Sequence, residues 1–330
     1  MDVACDMISL NHMKTILSGI KPTGRPHIGN YFGMMRQLLD MQKEGKVLGI
    51  IVDYHALNFI QNAEEMRSLT HELVVDYLAL GFDTDKNILF KQSDVSEHTE
   101  LAWIFDTIMS VPYLKRAHAY KDAVDKGRED EVSMGTFNYP MLMAADILLY
   151  EPDIVPVGLD QKQHIEFARD TAEKFNRVFG KEDKPIFKLP EAHIMKEVET
   201  VPGIDGRKMS KSYNNYISLF ADNTEIEEKV MAIVTDSKAE YPENVFYIHK
   251  LFRPTAELDK IYEENKGKYK AVKEILIEDL KKFIGPLREK RAEIAQNTDL
   301  IKKVLEEGKE KAQAVAGAKM REIKQAVGVI

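Results

Sequence analysis

The chain of 330 residues is short of cysteine: Cys5 stands alone, so no intramolecular disulfide can form and no cysteine cluster exists for structural zinc or an iron–sulfur centre. Long apolar runs are also missing. Stretches such as Val47–Val52 fall far short of the roughly 18 residues a membrane span needs, and the sequence shows no secretory signal at its start. These absences lead us to expect a cytosolic protein with no membrane contact and no resident metal. There is no G-x-G-x-x-G string, which argues against dinucleotide binding, and there is neither an internal repeat nor a low-complexity segment. Positive charge is lacking in bulk: 46 Lys and Arg face 54 Asp and Glu, a net of −8, which excludes a protein that coats nucleic acid through charge alone.

What remains is an ordinary globular composition, 44% hydrophobic and 30% charged. The length exceeds what one hydrophobic core usually serves, so two domains are expected. The charge is uneven. Residues 261–330 carry 16 basic against 12 acidic side chains, a net of +4, leaving −12 for the first 260. Residues 1–13 show no period and read as a frayed extension, with Met13 a possible alternative start. Short apolar runs at Thr15–Ser18, Val47–Val52 and Ile154–Val157 then alternate with amphipathic stretches such as Glu64–Leu80 and Thr99–Ser110, the pattern of βαβ units around a parallel sheet. Strand signals vanish beyond about Ser218, and the remainder is helix-period, interrupted at Gly285 and Pro286. The expected organisation is an α/β domain over 14–217 and an all-helical domain over 218–330.

Two segments carry chemistry. In Ser18–Asn30, a strand leads through a loop with Gly19 and Gly24 into His27-Ile28-Gly29-Asn30, where a helix begins. Free N–H groups and the helix dipole at such a start favour a phosphate, and His27 and Asn30 share one face of the turn. A plain helix cap with a surface histidine would look the same. The second segment, Gly203–Ser212, places Arg207, Lys208 and Lys211 with Ser210 and Ser212 on a loop bracketed by glycines, able to carry positive charge to phosphates. A basic loop is more often merely solvated.

Together the two segments resemble the signature pair of the class I aminoacyl-tRNA synthetases: His27–Asn30 the "HIGH" element, and Lys208-Met209-Ser210-Lys211-Ser212 the "KMSKS" element letter for letter. That resemblance implies a Rossmann-like catalytic domain over 14–217, an anticodon-binding domain over 218–330, and adenylation of an amino acid by ATP with magnesium. In-line attack of this kind asks the protein for positioning and charge stabilisation rather than covalent catalysis. The family's catalytic roles carry to His27, Asn30, Lys208 and Lys211. Its ATP contacts carry to Lys21, Pro22, Thr23, Gly29, Asn30, Gly158, Leu159, Asp160, Val201 and Lys208–Ser212. Asn30 departs from the signature's histidine, but its amide still donates a hydrogen bond. Lys21 stands where glutamine is expected, and 193–202 departs from the family pattern, leaving the adenine contacts near Val201 open.

The stretch Tyr139–Tyr150 is apolar with one acid, and a helix would align Tyr139, Met143, Asp146 and Tyr150. A carboxylate on such a face needs a partner: a helix cap, a nearby cation, or a ligand donor. An indole offers one N–H and no acceptor, which an ionised carboxylate among apolar walls would match. The stretch is similar to the tryptophan-binding helix of bacterial tryptophanyl-tRNA synthetases. By that resemblance Asp146 reads the indole nitrogen, with Met143, Tyr139, Val52, Val155 and Val157 around the ring and Gln161 at the ammonium group. The tyrosyl enzymes share both signatures but usually place a tyrosine in the first strand, where this chain has Ile16-Leu17-Ser18-Gly19. The resemblance therefore implies L-tryptophan, ATP and tRNA(Trp) as partners and a homodimer. Rivals are a cofactor nucleotidylyltransferase, which would need neither the second loop nor the basic tail, and a non-catalytic paralogue, which intact Asn30, Lys208 and Lys211 speak against.

Overall fold

The computed structural model describes residues 14–181, 183–194, 200–235 and 241–330, so the expected extension at 1–13 lies outside the described residues. Three parallel strands, β1 (Lys14–Ile20), β2 (Gly45–Ile51) and β3 (Ile88–Lys91), lie in that order. On the other side of β1, Leu17 N–H donates to Ile154 at 3.0 Å and Ile154 N–H to Thr15 at 3.1 Å, which joins β4 (Val155–Val157) to the sheet. β5 (Ala192–Ile194) pairs parallel with β4. The chain thus winds one way from β1 to β3 and the other way through β4 to β5. Ligands favour the carboxyl ends of the strands at such a reversal.

Both faces of the sheet are covered, as parallel strands require, and Ile16, Val47, Ile50, Ile51 and Phe90 are fully buried. The expected strands begin and end within two residues of those observed, and the amphipathic stretches fold as helices Ala63–Ala79 and Glu97–Ile108. β3, of four residues, and β5, of three, were not expected from the sequence. The helix after the first signature widens into a π-helical turn over Tyr31–Met35 before resuming at Arg36–Met41.

The expected break at Gly285-Pro286 is absent: one helix runs Tyr269–Gln296 straight through Pro286. Proline in a helix interior costs about 3 kcal/mol, and side chains two and five residues on hold the segment down. Arg288 donates to Ala221 O, and Arg291 Nε donates to Asp76 Oδ1 at 2.6 Å. The last helix, Thr298–Val327, crosses β3 so closely that a Cβ on Gly308 would come within 2.0 Å of Leu89 O. Both hydrophobic cores contain residues from either side of 217/218: Ile16 and Val47 with Leu280 and Ile284 in one, Phe90 and Phe105 with Ala312 and Met320 in the other. The helical segment packs as part of one body with the sheet.

Candidate active site

The two signature loops meet. Ile28 N–H donates to Ile217 O at 3.1 Å and Leu219 N–H to Pro26 O at 3.0 Å, so the strand-like segment just after the second loop clasps the first. Lys211 then reaches across, its ammonium donating to Thr23 O at 2.9 Å and Gly24 O at 2.8 Å. Two of its three protons go to backbone carbonyls that a phosphate oxygen can replace. Lys208 is exposed, and Ser210 and Ser212 share a hydroxyl hydrogen bond of 2.8 Å.

His27 caps the helix it precedes. Its Nδ1 accepts from Asn30 N–H at 3.2 Å while Asn30 Oδ1 accepts from His27 N–H at 3.1 Å. The helix cap and the polar residues of the first signature are therefore the same pair, and it is the amide nitrogen of Asn30, not its oxygen, that the cap leaves unused. Burial, aided by the nearby Lys211 charge, pushes the His27 imidazole down to about 4, so it is neutral at pH 7. Gly29 allows close approach of the loops: Met209 Sδ lies 3.5 Å from where a Cβ would stand. Met209 and Val201 are buried, joined by Met209 N–H to Val201 O at 2.9 Å, so their side chains serve the core and only their backbone remains for a ligand. Pro22 is buried, Thr23 is exposed, and Lys21 lies 4.8 Å above the Phe59 ring. Gly158 opens the turn Leu159–Gln161 at the end of β4. The side chain of Asp160 lies outside the described residues.

One residue that sequence reasoning missed sets the second loop. Asn215, 2% exposed, donates to Asp205 Oδ1 at 2.7 Å and to Lys208 O at 3.1 Å, and accepts from Ser210 N–H at 2.8 Å. Gly203 must lack a side chain, because a Cβ there would lie 2.3 Å from the Asn215 amide.

Asp146 sits in the helix Met134–Leu148, 4% exposed. Its partners are neither a helix cap nor a lysine or arginine. Oδ1 accepts from Gln92 Nε2 at 2.7 Å and faces His98 Nδ1 at 2.6 Å, while Oδ2 faces His55 Nε2 at 3.0 Å. Burial pushes its pKa up, yet the His55 and His98 hydrogen bonds outweigh that and hold it below the usual carboxylate range. Gln92 follows β3 and His55 follows β2, so the acid is tied to the carboxyl ends of both strands. Val52, Val155 and Val157 are buried at strand ends, and Met143 is half-buried. Tyr139 and Gln161 meet at His164: the phenol bonds Nε2, and Gln161 Oε1 lies 2.7 Å from Nδ1. Burial pushes the Tyr139 phenol up to about 12, keeping it protonated. His98, Gln92 and His164 carried no signal in the sequence.

Among the described residues there is no cluster of His, Cys, Asp or Glu suited to a resident metal, and no helix is long and apolar enough to cross a membrane. The family model of class I tRNA synthetases for tryptophan and tyrosine matches residues 10–301. Tryptophan–tRNA ligase of Fusobacterium nucleatum is 45% identical over 96% of this chain and 99% of its own length, and that of Rhodopirellula baltica 41% over 92% and 96%. A crystal structure of tryptophanyl-tRNA synthetase from Campylobacter jejuni complexed with ADP and tryptophan superposes with a TM-score of 0.86 at 38% identity, covering 95% of this chain and 99% of that one. A tyrosyl-tRNA synthetase from Archaeoglobus fulgidus shares the fold at 19% identity and a TM-score of 0.64. With the convergent signature loops and the buried acid, these likenesses make the chain a member of the class I tryptophanyl-tRNA synthetases, the tryptophan–tRNA ligases.

Proposed function

We propose that this chain activates L-tryptophan with ATP, taken as its magnesium complex, and passes the aminoacyl group from tryptophanyl-adenylate to the 3′ end of tRNA(Trp). The tryptophan carboxylate attacks the α-phosphate, a new P–O bond forms, and pyrophosphate leaves with the electron pair of the broken one. Charge gathers on the non-bridging and leaving oxygens, where preplaced cations act most. Lys211 and Lys208 supply them. The neutral His27 and the amide of Asn30 donate without adding charge. Lys21, Pro22, Thr23 and Gly29 flank the triphosphate from the end of β1, Gly158, Leu159 and Asp160 from the end of β4, and Val201 with Lys208–Ser212 close the far side. Asp146 accepts the indole N–H, with Val52, Tyr139, Met143, Val155 and Val157 around the ring and Gln161 at the ammonium group.

The observation that carries this reading is the pair of hydrogen bonds from Lys211 to Thr23 O and Gly24 O, which brings the two signatures to one place. The test is pyrophosphate exchange into ATP with each amino acid in turn. Exchange with tryptophan alone is expected; exchange with tyrosine alone, or none, would overturn the reading.

The basic segment beyond residue 217 serves the tRNA anticodon, the active form is a homodimer, and the protein works in the cytoplasm. Truncation at residue 218 is a poor test, because both cores would open. Charge reversal at the exposed Lys302 and Lys303 should instead weaken tRNA charging more than exchange. Equal effects would count against an RNA-facing role.

A further inference from the structure

The acid that reads the substrate is itself held by a chain of groups that the reaction does not touch. An ionised carboxylate has about four lone-pair sites, two on each oxygen. At Asp146, Oδ1 is filled by Gln92 and His98, and Oδ2 has one partner, His55. The remaining lone pair belongs to Oδ2. His98 is fully buried, and its other ring nitrogen lies 3.0 Å from the Tyr150 hydroxyl. A phenol has one proton to give. If Tyr150 gives it to Nε2, the imidazole must carry its own proton on Nδ1, aimed at Asp146. Burial, with the Asp146 and Glu97 charges, raises the Tyr150 phenol and keeps that proton in place.

We infer that His98, fixed in its Nδ1–H tautomer by Tyr150, is a positioning residue that holds Asp146 ionised and turned so that only Oδ2 is open to a ligand N–H. This rests on the reading of Asp146 as the indole acceptor. His98 touches no substrate atom; it decides which oxygen of the acid is available and in which protonation state. The groups facing Asp146 are His55 from the turn after β2, Gln92 after β3, His98 from helix Glu97–Ile108 and Tyr150 beyond the acid's own helix, with Glu97 near Tyr150. Removing the His98 donor takes away one of the bonds that favour the ionised form. The acid's pKa then rises, and tryptophan binding weakens as pH falls through that raised value.

The test is exchange kinetics of the full-length enzyme, using tryptophan and the benzothiophene analogue of tryptophan, which lacks the N–H. In His98→Leu the tryptophan KM should rise about 10-fold or more while the ATP KM stays within about 2-fold, and preference over the analogue should shrink. The tryptophan KM of this variant should climb as pH falls, over a range where the parent enzyme stays flat. His98→Asn, whose amide can stand near the Nδ1 position, should restore most of the preference. Tyr150→Phe covers the case in which His98→Leu does not fold, and should raise the tryptophan KM about 3-fold to 10-fold. Unchanged preference and a flat pH profile in the His98 and Tyr150 variants would overturn the inference. If Asp146→Asn also leaves the tryptophan KM unchanged, the failure lies with the indole reading; if Asp146→Asn raises it and His98→Leu does not, it lies with His98.

Discussion

The two ends of the proposed site are built on opposite plans. At the phosphate end the cations sit on loops: Lys208 is exposed, and Lys211 is parked on two backbone carbonyls. At the indole end the charge is a carboxylate sealed in the core, with three donors already on it. A parked ammonium can exchange a carbonyl for a phosphate oxygen at little cost, which suits a group that acts only as charge develops. A sealed carboxylate cannot reorient without stranding its donors, which suits a group that must discriminate before chemistry begins. On the proposed reading, one end suits exchange and the other fixed recognition.

That contrast breaks most readily at Lys211. Lys211→Ala should lower kcat for exchange by about 10²- to 10³-fold, the usual loss for one preplaced donor, with the tryptophan KM within about 3-fold. A rise in the tryptophan KM of the same size would merge the two ends into one. Asp146→Asn should do the reverse, raising the tryptophan KM about 10²-fold and sparing the ATP KM. Asparagine is the better probe than alanine: with alanine the side chains of His55, Gln92 and His98 lose a buried acceptor, at about 1–3 kcal/mol for each group stranded, so folding would suffer too. Calorimetry on Asp146→Ala should show a lowered Tm, and an unchanged Tm would mean the donors had found other partners.

A smaller effect tests the seam between sheet and tail. Gly308→Ala should cost about 1–3 kcal/mol in denaturant unfolding, because its Cβ has no room against Leu89 O. No loss would mean that the last helix is not seated on β3. Smallest is the titration of His27. Its folded pKa near 4 lies below the usual 6.5, so the folded state resists protonation. This group's contribution to stability is whole above about 6.5 and fades as pH falls toward about 4. An NMR titration should place its midpoint near 4, and a midpoint near 6.5 would return His27 to solvent.

The meeting of the two signature strings, the end proposed to hold the phosphates, follows from residues that lie within two short stretches whose letters are tied to backbone chemistry. His27 and Asn30 are three residues apart and cap each other locally. The partners of Asp146 were not legible, because their hydrogen bonds span 48, 54 and 91 residues and only the crossing of β2, β3 and two helices brings them together. Asn215 hid for another reason: it lies just past the signature, and a single asparagine in a loop gives no sign that three backbone and side-chain groups depend on it. The continuous helix through Pro286 defeated the local rule because Arg288 and Arg291 anchor it to Ala221 and Asp76 from outside the turn that proline disturbs.

The claim on which the account turns is that the loop of Lys208–Ser212 and the corner at Gly29-Asn30 serve one triphosphate. A crystal structure of this chain with tryptophan and a non-hydrolysable ATP analogue tests it directly. The ammonium of Lys211 should then be found lifted from Thr23 and Gly24 onto the same phosphates that the Gly29-Asn30 turn faces. Phosphates bound at that turn with both lysines still directed away would contradict it.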